Sequence, residues 1–228
     1  MLIIKSNKKS FKLIYGISSI LLLFNIISSQ SRNALIGLVI GLFLIAILYD
    51  KRFIIISIIF PIMLFIIPQS KLRILQIFDL TQNSSRYKIW EATKLMIKDH
   101  PILGIGYENF QIQYPIYVNN NIDTLLVSDT YLALHPHNLF LKFQSELGLL
   151  GTISLILFLV ITIMTLINST YKYNNKNESA ILIGITSGFI TLQFMNLIDN
   201  FYSAPKVIIS MFIIIAIANN YRLSFNHK

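Results

Sequence analysis

The chain has 228 residues, of which 54% are hydrophobic and only 13% are charged. A soluble domain carries about a quarter charged residues, and apolar runs near 20 residues are typical of transmembrane helices, so the composition predicts an integral membrane protein. The chain has no cysteine, which excludes disulfides, iron–sulfur clusters and thiolate catalysis. Lysines in short cytosolic segments explain the net charge of +9 more economically than a nucleic-acid partner does.

The N-terminal region, residues 1–67, contains three apolar runs that predict transmembrane helices. The runs cover about residues 13–29, 34–49 and 53–67. Lysines precede the first run, as in a secretory signal, but the run is long for such a signal and another follows almost at once. We therefore expect it to be a retained helix. Pro61 is expected to kink the third helix.

A polar segment over residues 68–148 separates these runs from three more in residues 149–228. The later runs cover about residues 149–168, 180–198 and 207–218. If the N-terminus is cytosolic, the short inner segments hold ten lysines and arginines, and the short outer ones hold only Arg32 and Lys206. This bias predicts an all-α, polytopic protein with about six spans, both termini in the cytosol and one long outer loop.

Within the loop, the residue pattern predicts an amphipathic helix over residues 86–98 that lies on the bilayer surface. Ser84 or Ser85 is a suitable N-cap, and Pro101 ends the helix. The Gly104-Ile-Gly106 segment predicts a flexible bend, because no predicted strand precedes it and the third glycine of a nucleotide loop is missing.

The end of the loop contains a second helix signal. Residues 111–134 show no clear period and are expected to form a mobile flap or to be disordered. Residues 135–151, HPHNLFLKFQSELGLLG, then predict a short helix that Asn138 caps and Gly148 ends. The pattern thus predicts a histidine just before the N-terminus of a helix, close to a membrane surface.

Three side chains on the predicted outer side are candidates for chemistry. Arg32 lies within a predicted tight turn, Ser31-Arg32-Asn33, at the membrane edge, where arginines commonly snorkel to the interface. Arg86 is placed in the first turn of its helix, where a bound phosphate explains it as well as a solvated surface position does. His137 is the candidate general base because imidazole changes protonation near neutral pH, and His135 is its local competitor.

Three motifs resemble those of the O-antigen ligase and polymerase family. His137-Asn138, nine residues, Gly148, two residues and Gly151 resemble its histidine motif. The segment SRNALIGLVIG is similar to its Ser-Arg-small segment between spans. The segment SSRYKIWEATKLMIKDHPILGIGYENF resembles its Arg-x-x-x-Trp helix followed by Pro-x-x-Gly-x-Gly. The resemblance covers about residues 15–168 and corresponds to the C-terminal half of the family.

The resemblance implies transfer of a glycan from a polyprenyl-diphosphate carrier to a lipid or glycan acceptor on the outer, periplasmic face of the bacterial inner membrane. It implies that Arg32 and Arg86 bind the donor diphosphate and stabilise the leaving group without a metal or a cofactor. His137 would activate the acceptor hydroxyl, with inversion at the anomeric carbon. Asn138 would cap its helix or orient the site, and Glu146 is a further substrate-binding candidate.

Other interpretations remain open on the sequence. Family members usually have more spans, so a separate chain could supply the missing N-terminal ones, or the chain could be an inactive half-protein. Transport of an anion such as bicarbonate is the alternative function, although the chain lacks the paired broken helices that transporters use. Ligase and polymerase activities share these motifs and are not separated by them.

Overall fold

The computed structural model describes residues 9–66, 68–75, 80–121, 125, 133–172 and 176–226. In these residues every regular element is a helix, which confirms the all-α prediction. The helices are α1 (Lys9–Ser28), α2 (Arg32–Leu48), α3 (Phe53–Leu64), α4 (Pro68–Leu75), α5 (Leu80–Asp99), α6 (Phe110–Asn119), α7 (Leu139–Lys172), α8 (Lys176–Met195), a 3₁₀ helix (Phe201–Ser203) and α9 (Pro205–Asn226).

In the part of the chain that the structure describes, two helices are long and apolar enough to cross a membrane, judged by length and composition. They are α1 and the segment Leu139–Tyr171 of α7. The other four predicted spans coincide with shorter apolar helices, namely α2, α3, Ser179–Met195 and Pro205–Asn220. No side chain of α1 is buried, which suits a helix whose surroundings are lipid. The six-span topology stays a prediction.

The chain divides into two compact units. One comprises Met1–Phe78, Thr162–Phe194 and Ile208–Lys228, and the other comprises Asp79–Ile161 and Met195–Val207. The predicted division into residues 1–67, 68–148 and 149–228 follows membrane topology and stays a prediction. Every candidate site residue except Arg32 belongs to the second unit.

The turn before α2 lies two residues earlier than the sequence predicts. The chain turns at Ser29 and Gln30, where Gln30 has a φ of 50°, and Arg32 already begins α2. Ser31 is the N-cap, and its Oγ accepts a hydrogen bond from the Ala34 N–H at 3.4 Å. The predicted tight turn over residues 31–33 is therefore wrong, because a serine that accepts this bond begins the helix directly.

α5 also begins earlier than predicted. It starts at Leu80, so Ser84 and Ser85 lie inside the helix and Arg86 lies in its second turn. The predicted serine cap is wrong, and so is the placement of Arg86 at a helix N-terminus. Polar residues such as those at the start of α5 are tolerated in a helix because each costs less than about 1 kcal/mol relative to alanine.

The apolar stripe of α5 packs against protein rather than lying on a bilayer. Ile89, Ala92 and Met96 are fully buried and form one core with α6. α6 contributes Phe110, Tyr114 and Val118 to this core. The expectation of no regular structure over residues 111–134 is wrong for α6, whose i, i+4, i+8 stripe continues through Pro115. Residues 122–124 and 126–132 lie outside the described residues.

α7 consists of two helical stretches joined at Gly148, which has φ 65° and ψ −162°. The predicted end of the short helix at Gly148 is thereby confirmed. The Ile105 N–H donates to the Ser145 carbonyl at 2.8 Å, and the Gly106 N–H donates to the Glu146 carbonyl at 2.9 Å. The bend over residues 104–106 thus satisfies the carbonyls that the break in α7 leaves without helical partners.

Replacing Gly148 by alanine is expected to destabilise the protein by roughly 3 kcal/mol. Its φ and ψ fall in a region that only glycine adopts readily, and a Cβ here collides with the Ile102 carbonyl. Thermal unfolding in detergent measures the effect. Gly184→Ala is the matched control, since a Cβ at Gly184 meets no atom within 4 Å. Equal melting temperatures for the two variants would contradict the prediction.

Candidate functional site

The candidate site is built around the segment that leads into α7. Asn138 Oδ1 accepts a hydrogen bond from the Leu141 N–H at 3.0 Å, which confirms the predicted N-cap. Its Nδ2 donates to the Leu197 carbonyl at 2.9 Å, and the Leu139 N–H donates to the Asn196 carbonyl at 2.9 Å. The start of α7 is therefore tied to the turn that follows α8.

That turn places a carboxylate beside His137. Asp199 Oδ1 lies 3.1 Å from His137 Nδ1, and both side chains are about a quarter exposed. The Asn200 N–H donates to the same oxygen at 2.8 Å and holds the carboxylate in place. Asp199 is not among the residues that the sequence motifs single out. The available signal was an acidic residue in a short turn after an apolar run, in a chain with only ten acidic residues.

The backbone of His137 has a left-handed conformation with a φ of 49°. Such a φ is uncommon outside glycine, although histidine adopts it more often than most residues. The His137 N–H donates to His135 Nδ1 at 3.2 Å, and the two ring centroids are 4.4 Å apart. Trp90 Nε1 on α5 donates to the Pro136 carbonyl at 2.8 Å. The loop formed by residues 135–137 is thus held by one hydrogen bond within it and by another from α5.

Arg86 reaches the same turn from α5. Its Nη1 donates to the Ile198 carbonyl at 3.2 Å, so the guanidinium lies next to the residue that precedes Asp199 in the turn. The side chain is half-buried. Two of the predicted site residues, Arg86 and His137, are therefore brought to the same turn by contacts with Ile198 and Asp199.

Asp199 is held in its ionised form. Burial raises the pKa of its carboxyl, but the hydrogen bonds from His137 and from the Asn200 N–H, together with the charges of His137 and Arg86, outweigh burial and leave the pKa below its usual range. An ionised carboxylate can only accept a hydrogen bond, so the His137 proton is on Nδ1. In the neutral ring, the other nitrogen, Nε2, then carries the lone pair that can accept a proton.

His135 is kept neutral. Burial lowers its pKa, and the charges of His137, Lys142 and Arg86 lower it further, against the opposing effect of Asp199. Its Nδ1 accepts the hydrogen bond from the His137 N–H, so that nitrogen carries no proton. Through this bond His135 holds the left-handed loop that presents His137.

Glu146 lies in different surroundings. Its side chain is almost fully buried, with the residue 2% exposed, and its carboxylate faces the backbone N–H groups of Glu108 and Phe110 at the start of α6. Lys142 Nζ is 3.9 Å away. A carboxylate at a helix N-terminus stabilises that helix. The substrate-binding function of Glu146 stays a prediction.

Arg32 belongs to the first unit, as the first residue of α2. Its side chain is half-buried. Convergence of Arg32 with Arg86 and His137 stays a prediction.

A family model described as O-antigen ligase matches residues 17–156, which is more than half of the chain. The chain belongs to the O-antigen ligase family. The comparison with curated proteins found no match, and the comparison with solved structures found none either. The matched part of this O-antigen ligase family member includes Arg32, Arg86 and His137, whereas Asp199 lies beyond it. The family places the protein among bacterial inner-membrane proteins that process glycans, which agrees with its apolar helices.

Proposed function

We propose that this protein transfers or polymerises a glycan from a polyprenyl-diphosphate donor onto a lipid or glycan acceptor at the periplasmic face of the inner membrane. The observation that carries the proposal is the hydrogen bond between His137 and Asp199, with Arg86 bound to the adjacent carbonyl. Because the chain belongs to the O-antigen ligase family, we assign His137, Asp199 and Arg86 to glycan transfer.

His137 is the general base of the proposed reaction. Its Nε2 takes the proton of an acceptor hydroxyl as that oxygen attacks the anomeric carbon of the donor sugar. The bond from this carbon to the diphosphate oxygen breaks in the same displacement, so the configuration inverts. Asp199 stabilises the imidazolium that forms, because its carboxylate accepts the hydrogen bond from Nδ1.

Arg86 stabilises the negative charge that develops on the leaving diphosphate. Guanidinium binds phosphate through two parallel hydrogen bonds and stays charged at any physiological pH. In the structure one Arg86 nitrogen donates to a neutral carbonyl, and the group has further N–H donors for the diphosphate. Arg32 is proposed as the second diphosphate ligand, so that the reaction needs no metal and no cofactor.

Asn138 orients His137 in the proposed site. Its amide caps α7 and donates to the Leu197 carbonyl, which keeps His137 next to the turn that carries Asp199. A direct contact of Asn138 or Glu146 with the substrate would be additional to these structural functions.

In the proposed topology, residues 1–67 and 149–228 form the spans, residues 68–148 form the periplasmic loop, and both termini are cytosolic. The excess of basic residues in the short inner segments supports this orientation.

Transfer measured in proteoliposomes with a polyprenyl-diphosphate-linked glycan tests the proposal. Arg86→Ala is expected to lower kcat by about 10²-fold, since it removes charge stabilisation that is needed mainly in the transition state. Lys98→Ala is the matched control, because it removes an exposed cation from the last turn of the same helix. If both variants keep the wild-type rate, or if the wild type transfers no glycan, the proposal is wrong.

A further inference from the structure

Three metal-binding side chains meet at the candidate site. His135, His137 and Asp199 each offer one ligand atom, and the three atoms lie within 4.8 Å of one another. All three residues are half-buried. Two imidazole nitrogens and a carboxylate oxygen form a common protein ligand set for Zn²⁺ that leaves a fourth position open.

The spacing of these atoms is close to what one ion requires. Zinc bonds to nitrogen and oxygen are about 2.0–2.2 Å long, so two ligands on a tetrahedral ion are about 3.3 Å apart. His137 Nδ1 and Asp199 Oδ1, at 3.1 Å, already have this separation. The ligand nitrogen of His135 lies within 4.8 Å of both atoms, so it has to move closer by up to about 1.5 Å to complete the set.

The charges around these three residues limit their affinity for a metal ion. The Asp199 carboxylate attracts a cation, whereas Arg86 and Lys142 act on His135 as nearby positive charges and oppose one. His135 Nδ1 accepts the hydrogen bond from the His137 N–H and so carries no proton, and its lone pair can bind a metal once that hydrogen bond opens. A site with one anionic ligand and a neighbouring guanidinium is expected to bind Zn²⁺ reversibly.

We propose that His135, His137 and Asp199 form a binding site for Zn²⁺ or a similar divalent transition metal, and that the bound metal inhibits the protein. Metal binding at His137 Nδ1 takes the place of the hydrogen bond to Asp199, and the single proton of the neutral ring moves from Nδ1 to Nε2. A ring in that state cannot take the proton of an acceptor hydroxyl. The inhibition rests on the proposed function of His137, whereas the binding of the metal does not.

Calorimetric titration of the purified full chain with Zn²⁺, in detergent and after treatment with a chelator, tests the binding. His135→Asn is the informative variant, because an asparagine oxygen can accept the His137 N–H in place of Nδ1 and preserve the loop. It is a poor zinc ligand, so we expect its Kd to rise by about 10-fold or more. His100→Asn, which removes an exposed imidazole outside the cluster, is expected to keep the wild-type Kd.

Transfer activity with added Zn²⁺ tests the inhibition, with each variant compared with its own rate in chelator. We expect Zn²⁺ to inhibit the wild type and His100→Asn, chelator to reverse this, and His135→Asn to need about 10-fold more metal. The same Kd for His135→Asn and His100→Asn would overturn the metal site. Binding that depends on His135 without any effect on transfer would overturn the inhibition. Binding that depends on His135 in a wild type with no transfer activity would leave the metal site intact and contradict the proposed function instead.

Discussion

His137→Asn is expected to lower the rate of glycan transfer by about 10³-fold, which is within the usual contribution of a general base. The asparagine side chain cannot accept a proton at neutral pH, so the acceptor hydroxyl must react without a base. Asparagine is the appropriate replacement because it tolerates the left-handed backbone at His137, where φ is 49°. Alanine would add backbone strain to the chemical effect.

The measurement is the rate of transfer in proteoliposomes, together with the melting temperature of each variant. His100→Asn is the control, since His100 is exposed and lies outside the site cluster. A His137→Asn protein that melts like the wild type and keeps more than about one tenth of its activity would exclude His137 as the base.

Asp199→Ala is expected to lower kcat by about 10²-fold or more, with little change in the KM for the donor. Without the carboxylate, the hydrogen bond that fixes the proton on His137 Nδ1 is lost, and the imidazolium that forms during transfer loses its neighbouring negative charge. The effect belongs to the transition state, because Asp199 is expected to act through His137 rather than by contact with the donor.

Asp199→Asn separates orientation from charge. The Asn200 N–H donates to Asp199 Oδ1 at 2.8 Å, and this bond favours an amide oxygen at the same position in the variant. The His137 proton then stays on Nδ1, and only the charge is lost, so a decrease of about 10-fold is expected. Glu91→Ala is the control, because it removes an exposed carboxylate whose ion pair with Lys94 lies on the surface of α5. Full activity of Asp199→Ala would show that His137 needs no partner.

Local patterns predicted the features that depend on neighbouring residues. The Asn138 cap and the break at Gly148 are confirmed, because each depends on hydrogen bonds within a few residues or on a backbone angle that only certain residues adopt. The apolar stripe of α5 was also predicted, since it follows from helical periodicity.

The partners of these elements could not be predicted in the same way. An amphipathic face can be covered by lipid or by protein, and the sequence pattern is identical in both cases. Only the tertiary structure shows that Ile89 and Met96 on α5 pack against Phe110 and Tyr114 on α6. Pro115 interrupts the usual helix signal of α6, so the sequence pattern does not predict this helix.

The sequence by itself determined that this is a helical, apolar protein, and it singled out Arg86 and His137 as residues for chemistry. Only the tertiary structure assigned Asp199 to His137, across 62 residues of chain, and showed that Arg86 contacts the same turn from the second turn of α5. The reason is physical. A cap or a glycine break is decided by the nearest few residues, whereas the pairing of a carboxylate with an imidazole depends on how distant helices bring two turns together.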